Sequence, residues 1–239
     1  LDLLLTIFPF EKGCFLSSPL SIEYVGHPLT QTIAQHKSSP HFRDTYSLRG
    51  PILALFPGSR KEEIERNLPL QIKAAKKLLE LNPELQIAIS VCSADREAQV
   101  WSLSGLKATC IPAQDTYDLM NHSHLAIATS GTVTLELSLH KVPTIVTYFV
   151  KPIDLFFAQK IFRINLPFYC IVNIIAQKEV YPELIGPNLT LEKLLQASTQ
   201  MLQDSEKRAH CIEQCKHIQN ELGQEPASLL AAEKILEIL

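Results

Sequence analysis

The chain has 239 residues, of which 46% are hydrophobic, and its formal net charge is −3. This length and hydrophobic content suffice for one large or two small folded domains, and the negative charge gives no reason to expect a nucleic-acid partner. No apolar run reaches the roughly 18 residues that a membrane span requires, and no segment has the pattern of a secretory signal.

The pattern of the first fifty residues is less regular than that of the rest of the chain. The chain begins with Leu1 rather than Met, and we expect that it is the C-terminal part of a longer protein. Residues 1–26 predict two strands separated by a loop. Residues 34–50 are polar and resemble a linker or a surface excursion.

From residue 51 onward, short apolar runs alternate with helical patterns. Predicted strands cover residues 52–56, 85–91, 108–111, 125–128 and 143–148. Predicted helices cover residues 61–81, 94–103, 116–121 and 132–140, and three more follow at about 190–203, 205–222 and 226–238. Pro69 is expected to kink or split the first of them. This alternation predicts an α/β fold with a Rossmann-like parallel sheet and helices on both faces.

Two glycine-containing loops follow strands of this predicted sheet. Residues 53–60 read LALFPGSR, and residues 125–132 read LAIATSGT. A strand that turns through glycine into a helix presents backbone N–H groups at the positive end of the helix dipole, where phosphate binds well. Because the carboxyl ends of neighbouring parallel strands meet at one edge, two such loops can hold a nucleotide diphosphate.

The first loop has the composition of a phosphate contact. Gly58 allows close approach of the backbone, Ser59 can cap the helix or donate to phosphate, and Arg60 can donate to two phosphate oxygens at once. An ordinary capped helix start with a solvent-facing arginine remains an alternative. The acidic residues at 62, 63 and 65 suit a first helical turn and disfavour a second bound phosphate there.

The second loop has more hydroxyl groups than helix capping requires. Ser130 and Thr132 flank Gly131, and Thr129 precedes them. Glu136 lies one helical turn after Thr132, where its carboxylate can accept hydrogen bonds from a vicinal diol such as a ribose. The alternative is a surface glutamate that faces water.

Asn173 lies among large aliphatic residues at 171–175, which we interpret as a strand. A buried amide without partners costs about 1–3 kcal/mol, so it must bond somewhere. Either it bonds backbone groups in the core or it faces a ligand, and we favour the ligand.

The segment 149–163 is rich in aromatic residues and carries three cations. It is either a helix buried in a domain interface or a helix that meets an anionic membrane, and the sequence supports both equally. The lipid-facing candidates are Lys151, Phe156, Phe157, Lys160 and Arg163.

The sequence gives little support for a metal site. No Asp-x-Asp pair is present, and the six cysteines include no Cys-x-x-Cys pair, as is typical of a reduced cytoplasmic protein. Cys211 and Cys215 share a helix face, but His210 and His217 lie on others. Partly buried helix cysteines are therefore the favoured interpretation over a metal site, and no cofactor is expected.

Together these features resemble the lipid-A-disaccharide synthases, which are inverting glycosyltransferases of the two-Rossmann-domain (GT-B) type. The motifs occur in the family's order between residue 8 and about residue 185. They are FPFEK at 8–12, GH at 26–27, FPGSRKEEI at 56–64, TSGTVTLE at 129–136, YFVKP at 148–152 and Asn173.

The resemblance implies a reaction and a set of residues. A diacylated glucosamine is transferred from UDP to a diacylglucosamine 1-phosphate, and UDP is released without help from a metal. The implied UDP-binding residues are Gly58, Ser59, Arg60, Ser130, Gly131, Thr132, Glu136 and Asn173. The catalytic base stays unassigned, because it is expected in a first Rossmann domain of which only residues 1 to about 26 are present.

The resemblance also implies an organisation and a location. Residues 1–30 would be a remnant of the first domain with the interdomain linker, residues 31–203 the nucleotide-sugar-binding domain, and residues 204–239 helices that pack back on the N-terminal side. The enzyme would be cytoplasmic and peripheral at the inner face of the cell membrane, and a homodimer is left open. Two alternatives remain: a UDP-sugar epimerase or hydrolase of the same fold, or a non-catalytic UDP-binding domain.

Overall fold

The computed structural model describes residues 2–15, 17, 19–104, 108–151 and 166–238. The strands in these ranges are β1 (Leu3–Thr6), β2 (Ser21–Tyr24), β3 (Ile52–Phe56), β4 (Gln86–Val91), β5 (Thr109–Pro112), β6 (Ser123–Thr129), β7 (Thr144–Tyr148) and β8 (Glu183–Ile185). The helices are α1 (Glu11–Cys14), α2 (Pro28–Gln35), α3 (Phe42–Thr45), α4 (Lys61–Leu81), α5 (Ala94–Ser104), α6 (Thr116–His122), α7 (Thr132–Leu139), α8 (Ile171–Ala176), α9 (Leu191–Gln203), α10 (Ser205–Glu221) and α11 (Ala227–Leu236).

The main sheet has six strands in the order β5-β4-β3-β6-β7-β8, and all of its pairings are parallel. The chain builds outward from β3 to β5, then returns to the centre and builds outward from β6 in the other direction. The topological switch point therefore lies between β3 and β6. In open α/β sheets this is the place where ligands bind.

The central strand β3 is buried along its whole length and separates two layers of core. Leu53 and Leu55 pack in one hydrophobic cluster, whereas Ile52, Ala54 and Phe56 pack in the other. This division follows from the two-residue period of a strand, which sends successive side chains to opposite faces. The continuous apolar run of β3 is thus explained by helices on both sides of the sheet.

Pro69 does not split the helix that contains it. Helix α4 runs for 21 residues with Pro69 inside. Leu68 and Ile72 on either side of Pro69 are buried against the sheet. Packing of the apolar face therefore maintains the helix where the loss of one backbone N–H would interrupt it.

Two sequence predictions are wrong in detail, and one strand was missed. Residues 171–175 form part of helix α8 rather than a strand, and the three-residue strand β8 was not predicted. Short aliphatic runs do not distinguish a buried helix from a strand by periodicity. Residues 34–50 are not only a surface excursion, because Phe42 and Leu48 are buried in the core.

The N-terminal strands contact the end of α10. Strands β1 and β2 form a separate parallel pair. The hydroxyl of Tyr24 donates to the Glu221 carbonyl over 3.0 Å, and the His27 N–H donates to the Leu222 carbonyl over 3.1 Å. Helix α10 itself contributes Cys211 and other apolar residues to the main core. Each described helix is too short or too polar to cross a membrane.

Candidate functional site

A cavity of about 660 Å³ opens at the carboxyl ends of β3 and β6, at the switch point of the main sheet. Both glycine loops line it, so the structure brings the two sequence motifs together across some seventy residues of chain. Of the implied UDP-binding residues, those that line the cavity are Gly58, Ser59, Arg60, Ser130, Gly131, Thr132 and Glu136.

Asn173 does not share this position. It is fully buried, and its amide nitrogen donates to the Tyr181 carbonyl and to a Glu183 carboxylate oxygen, each over 2.7 Å. Its amide oxygen accepts from the N–H groups of Val180 and Tyr181 over 2.8 and 2.9 Å. Asn173 therefore holds the turn between α8 and β8. The favoured interpretation as a ligand contact is wrong, and the alternative of backbone bonding in the core holds.

In the first loop, the phosphate-type site is filled by the chain's own carboxylate. Glu63 Oε2 accepts the backbone N–H groups of Ser59 and Arg60, each over 3.2 Å. Glu63 Oε1 accepts from Arg60 Nη1 over 3.1 Å. Gly58 has a φ of 109°, and a Cβ there would lie 2.8 Å from Glu63 Oε2, so only glycine fits. The Arg60 guanidinium, with a side chain 82% exposed, is what this loop offers to a ligand.

The second loop is more open to an anion. Gly131 is the N-cap of α7, and no side chain caps this end of the helix. The N–H groups of Thr132 and Val133 are in the first helical turn and have no partner within the helix. A Cβ built on Gly131 meets no heavy atom within 4 Å, so the space beside its backbone is free. This end of α7 therefore offers free N–H groups to an anion.

Glu136 lies one turn further along α7 and bonds to Tyr117. The hydroxyl of Tyr117 donates to Glu136 Oε1 over 3.1 Å. Burial raises the pKa of Glu136, while this hydrogen bond opposes the rise. Burial, together with the neighbouring Glu136 charge, raises the pKa of Tyr117 to about 12, so the phenol stays a donor at neutral pH.

Sequence reasoning missed part of the cavity wall. The missed residues lie at the end of β4 and in the chain that follows β5. They include Ser90, Cys92, Gln114, Thr116 and Tyr117. Their position could have been predicted from the sequence, because the carboxyl ends of all strands in a parallel sheet lie at one edge. These loops lack glycine, and so they carry no phosphate-like pattern.

The lipid-facing candidates are mostly outside the described residues. Lys151 is described and exposed, whereas Phe156, Phe157, Lys160 and Arg163 lie in the range that the structure does not describe. The exposed hydrophobic residues on either side of that range are Tyr148, Phe149, Leu166 and Tyr169.

The two cysteines of α10 are free thiols that lie in the core. Cys211 and Cys215 are both buried, and Cys215 Sγ lies 3.4 Å from the Tyr181 hydroxyl. Within the described ranges, no three His, Cys, Asp or Glu side chains are grouped as a metal site would need.

Solved structures with this architecture include a sugar-nucleotide epimerase and a glycosyltransferase. The chain matches a putative UDP-N-acetylglucosamine 2-epimerase from Listeria monocytogenes with a TM-score of 0.67 and 15% identity, over 98% of this chain and 59% of that one. It matches WaaG, a glycosyltransferase of lipopolysaccharide biosynthesis, with a TM-score of 0.59 and 17% identity, over 98% of this chain and 61% of that one. The fold is thus the Rossmann-like α/β half found in GT-B glycosyltransferases and related epimerases.

Sequence comparison identifies the family. The model for lipid-A-disaccharide synthetase matches residues 1–238. A lipid-A-disaccharide synthase of Chlamydia felis is 40% identical over 192 residues, which are 78% of this chain and 30% of that protein. One from Gloeothece citriformis is 32% identical over 241 residues, which are 99% of this chain and 62% of that protein. The chain belongs to the lipid-A-disaccharide synthetase family, and it spans less than two thirds of the length of these relatives.

Proposed function

We propose that this chain supplies the UDP-binding half of a lipid-A-disaccharide synthase. The donor would be UDP-diacylglucosamine and the acceptor diacylglucosamine 1-phosphate. The observation that carries the proposal is that two glycine loops, distant in sequence, line one cavity at the switch point of a parallel sheet. Membership of the family supports the choice of substrates.

The geometry suits a UDP leaving group. The diphosphate would accept hydrogen bonds from the first-turn N–H groups of α7 and from Arg60, and the ribose hydroxyls would donate to Glu136. As the acceptor hydroxyl oxygen bonds to the anomeric carbon, the bond from that carbon to the UDP oxygen breaks, and negative charge grows on the diphosphate. Fixed amide dipoles and a cation stabilise such charge. The base that takes the acceptor proton is expected outside this chain.

Calorimetric titration of the chain with UDP, UMP and uridine tests the proposal. UDP should bind most tightly, and Arg60→Ala should weaken UDP binding by about 1–3 kcal/mol, as expected for loss of a charged hydrogen-bond partner. Arg49→Ala is the matched control, because Arg49 is exposed and pairs with Asp44 away from the cavity. Equal affinity for UDP and uridine would reject the proposal.

A UDP-sugar epimerase or hydrolase is the competing function. The likeness to a putative epimerase rests on 15% identity and carries the fold alone, whereas the family match extends over the chain. Incubation with UDP-N-acetylglucosamine separates the two. Its epimerisation or hydrolysis by this chain would favour the alternative.

Peripheral membrane contact is a second, separable proposal. The exposed aromatic and aliphatic residues that flank residues 152–165 support a lipid-facing surface there, and the sequence of that range adds Phe156 and Phe157. This contact would place the protein at the cytoplasmic face of the membrane. We further propose domain limits near residues 30 and 203, and a homodimer is left open.

A further inference from the structure

We propose that Tyr117 is a positioning residue that aims the Glu136 carboxylate at the nucleotide ribose, so that the pair selects ribose over 2′-deoxyribose. The inference rests on the proposed UDP site and adds to it the residue that determines the preference for the nucleotide's ribose. It rests on the contact between Tyr117 and Glu136 in the cavity wall and on the two histidine rings packed against Tyr117.

The first step is the contact between the two residues. Tyr117 comes from α6 and Glu136 from α7, and both line the cavity. The phenol donates to Oε1 over 3.1 Å. The described residues provide no hydrogen-bond partner for the other oxygen, Oε2. One carboxylate oxygen is thus fixed by the protein, and the second is left for a donor that enters the cavity.

The second step is that the phenol ring is itself held in place. The imidazole of His36 meets the Tyr117 ring edge-on with centroids 5.4 Å apart, and the ring of His140 lies 5.2 Å away on another side. His36 Nε2 lies 3.3 Å from a carboxylate oxygen of Asp118, and His140 Nδ1 lies 2.8 Å from Oδ1 of Asn121.

The same Asp118 oxygen ties this support to the segment before the main sheet. It accepts the Ser38 hydroxyl over 2.7 Å and the Ser39 N–H over 2.9 Å. The ring of Tyr117 is therefore supported by residues from three separate parts of the chain. A donor on such a rigid support fixes the direction of the carboxylate that it bonds.

The third step is the chemistry of the free oxygen. A ribose presents two adjacent hydroxyl donors, and a carboxylate held in one orientation can accept from them with good geometry. Without the phenol, the half-buried carboxylate loses its fixed orientation. The affinity that depends on the 2′-hydroxyl should then fall, while contacts to the diphosphate should stay.

The experiment measures UDP and 2′-deoxy-UDP binding to the wild-type chain and to Tyr117→Phe by calorimetry. The wild type should bind UDP about tenfold more tightly than 2′-deoxy-UDP, as expected for one hydrogen bond to a charged group. Tyr117→Phe should lose most of this ratio by weakening UDP alone. Tyr46→Phe is the matched control, because the Tyr46 hydroxyl bonds Asp115 and Tyr46 does not line the cavity.

The outcomes are distinguishable. An unchanged UDP to 2′-deoxy-UDP ratio in Tyr117→Phe, or an equal loss for both nucleotides, would overturn the positioning role while leaving the UDP site intact. Tight UDP binding by the wild type without any preference for ribose would do the same. Failure of the wild type to bind either nucleotide would overturn the proposed function together with this inference.

Discussion

The guanidinium of Arg60 and the carboxylate of Glu63 lie 3.1 Å apart at the rim of the cavity. The same carboxylate accepts two backbone N–H groups at the start of α4. Glu63 thus occupies the contacts that a phosphate would make at this helix end. A diphosphate that uses Arg60 must compete with Glu63 for it, and the open amides of α7 become the better place for the phosphates.

This competition predicts that Glu63→Gln tightens UDP binding. The substitution keeps an oxygen that can cap α4 but removes the charge that pairs with Arg60. The expected gain is about 0.2–1 kcal/mol, the typical value of an exposed ion pair. Calorimetry measures it, with Glu65→Gln as the control since Glu65 does not line the cavity. Weaker UDP binding by Glu63→Gln would show that Glu63 assists the ligand instead.

The half-buried carboxylate of Glu136 predicts a conflict between stability and binding. Its pKa is raised in the folded state by burial. The unfolded chain therefore releases this proton at lower pH, and the folded state loses stability as pH rises from the ordinary glutamate range through the raised pKa. Glu136→Gln removes that loss, so the variant should be more stable than wild type at pH 7, and the difference should vanish below about pH 4.

Urea denaturation at a series of pH values measures this difference, and the same variant should bind UDP more weakly. A stability difference that grows as pH falls would contradict the assigned direction of the pKa shift. Unchanged UDP affinity would contradict the role of Glu136 at the ribose.

The membrane proposal predicts a loss of vesicle binding. Replacing Phe156 and Phe157 with serine removes apolar area from the proposed lipid-facing surface, and co-sedimentation with anionic phospholipid vesicles should fall several-fold. Phe15→Ser is a suitable control, because Phe15 is exposed and lies in the N-terminal segment. Equal co-sedimentation of the double variant and the wild type would discard the proposal.

The main features of the fold could be predicted because their patterns are local. The apolar run of β3 and the apolar face of α4 can each be recognised within a single short window of sequence. Strand β8 could not be predicted in this way, since three residues give no period. The helix around Asn173 was missed because an aliphatic run reads equally as helix or strand.

The candidate site could be predicted from the sequence where a glycine follows the end of a predicted strand. Gly58 and Gly131 each mark a turn from a strand into a helix, and such turns are visible in sequence. The contact of Tyr117 with Glu136 joins residues 19 positions apart that come from different helices. Such a pairing depends on the tertiary packing of α6 against the sheet, which no local pattern specifies.

We propose that the N-terminal end of α7 holds the UDP diphosphate, and calorimetric titration of Gly131→Val with UDP is the sharpest test of this placement. The backbone of Gly131 is extended, with a φ of 162°, and a Cβ added there meets no heavy atom within 4 Å. A valine side chain would therefore extend into the space proposed for the phosphates. Gly13→Val is the control, because a Cβ added there also meets nothing within 4 Å and Gly13 does not line the cavity. Gly131→Val should bind UDP more than about tenfold more weakly, equivalent to about 1.4 kcal/mol, while Gly13→Val should bind as the wild type does. Wild-type UDP affinity in Gly131→Val would contradict it.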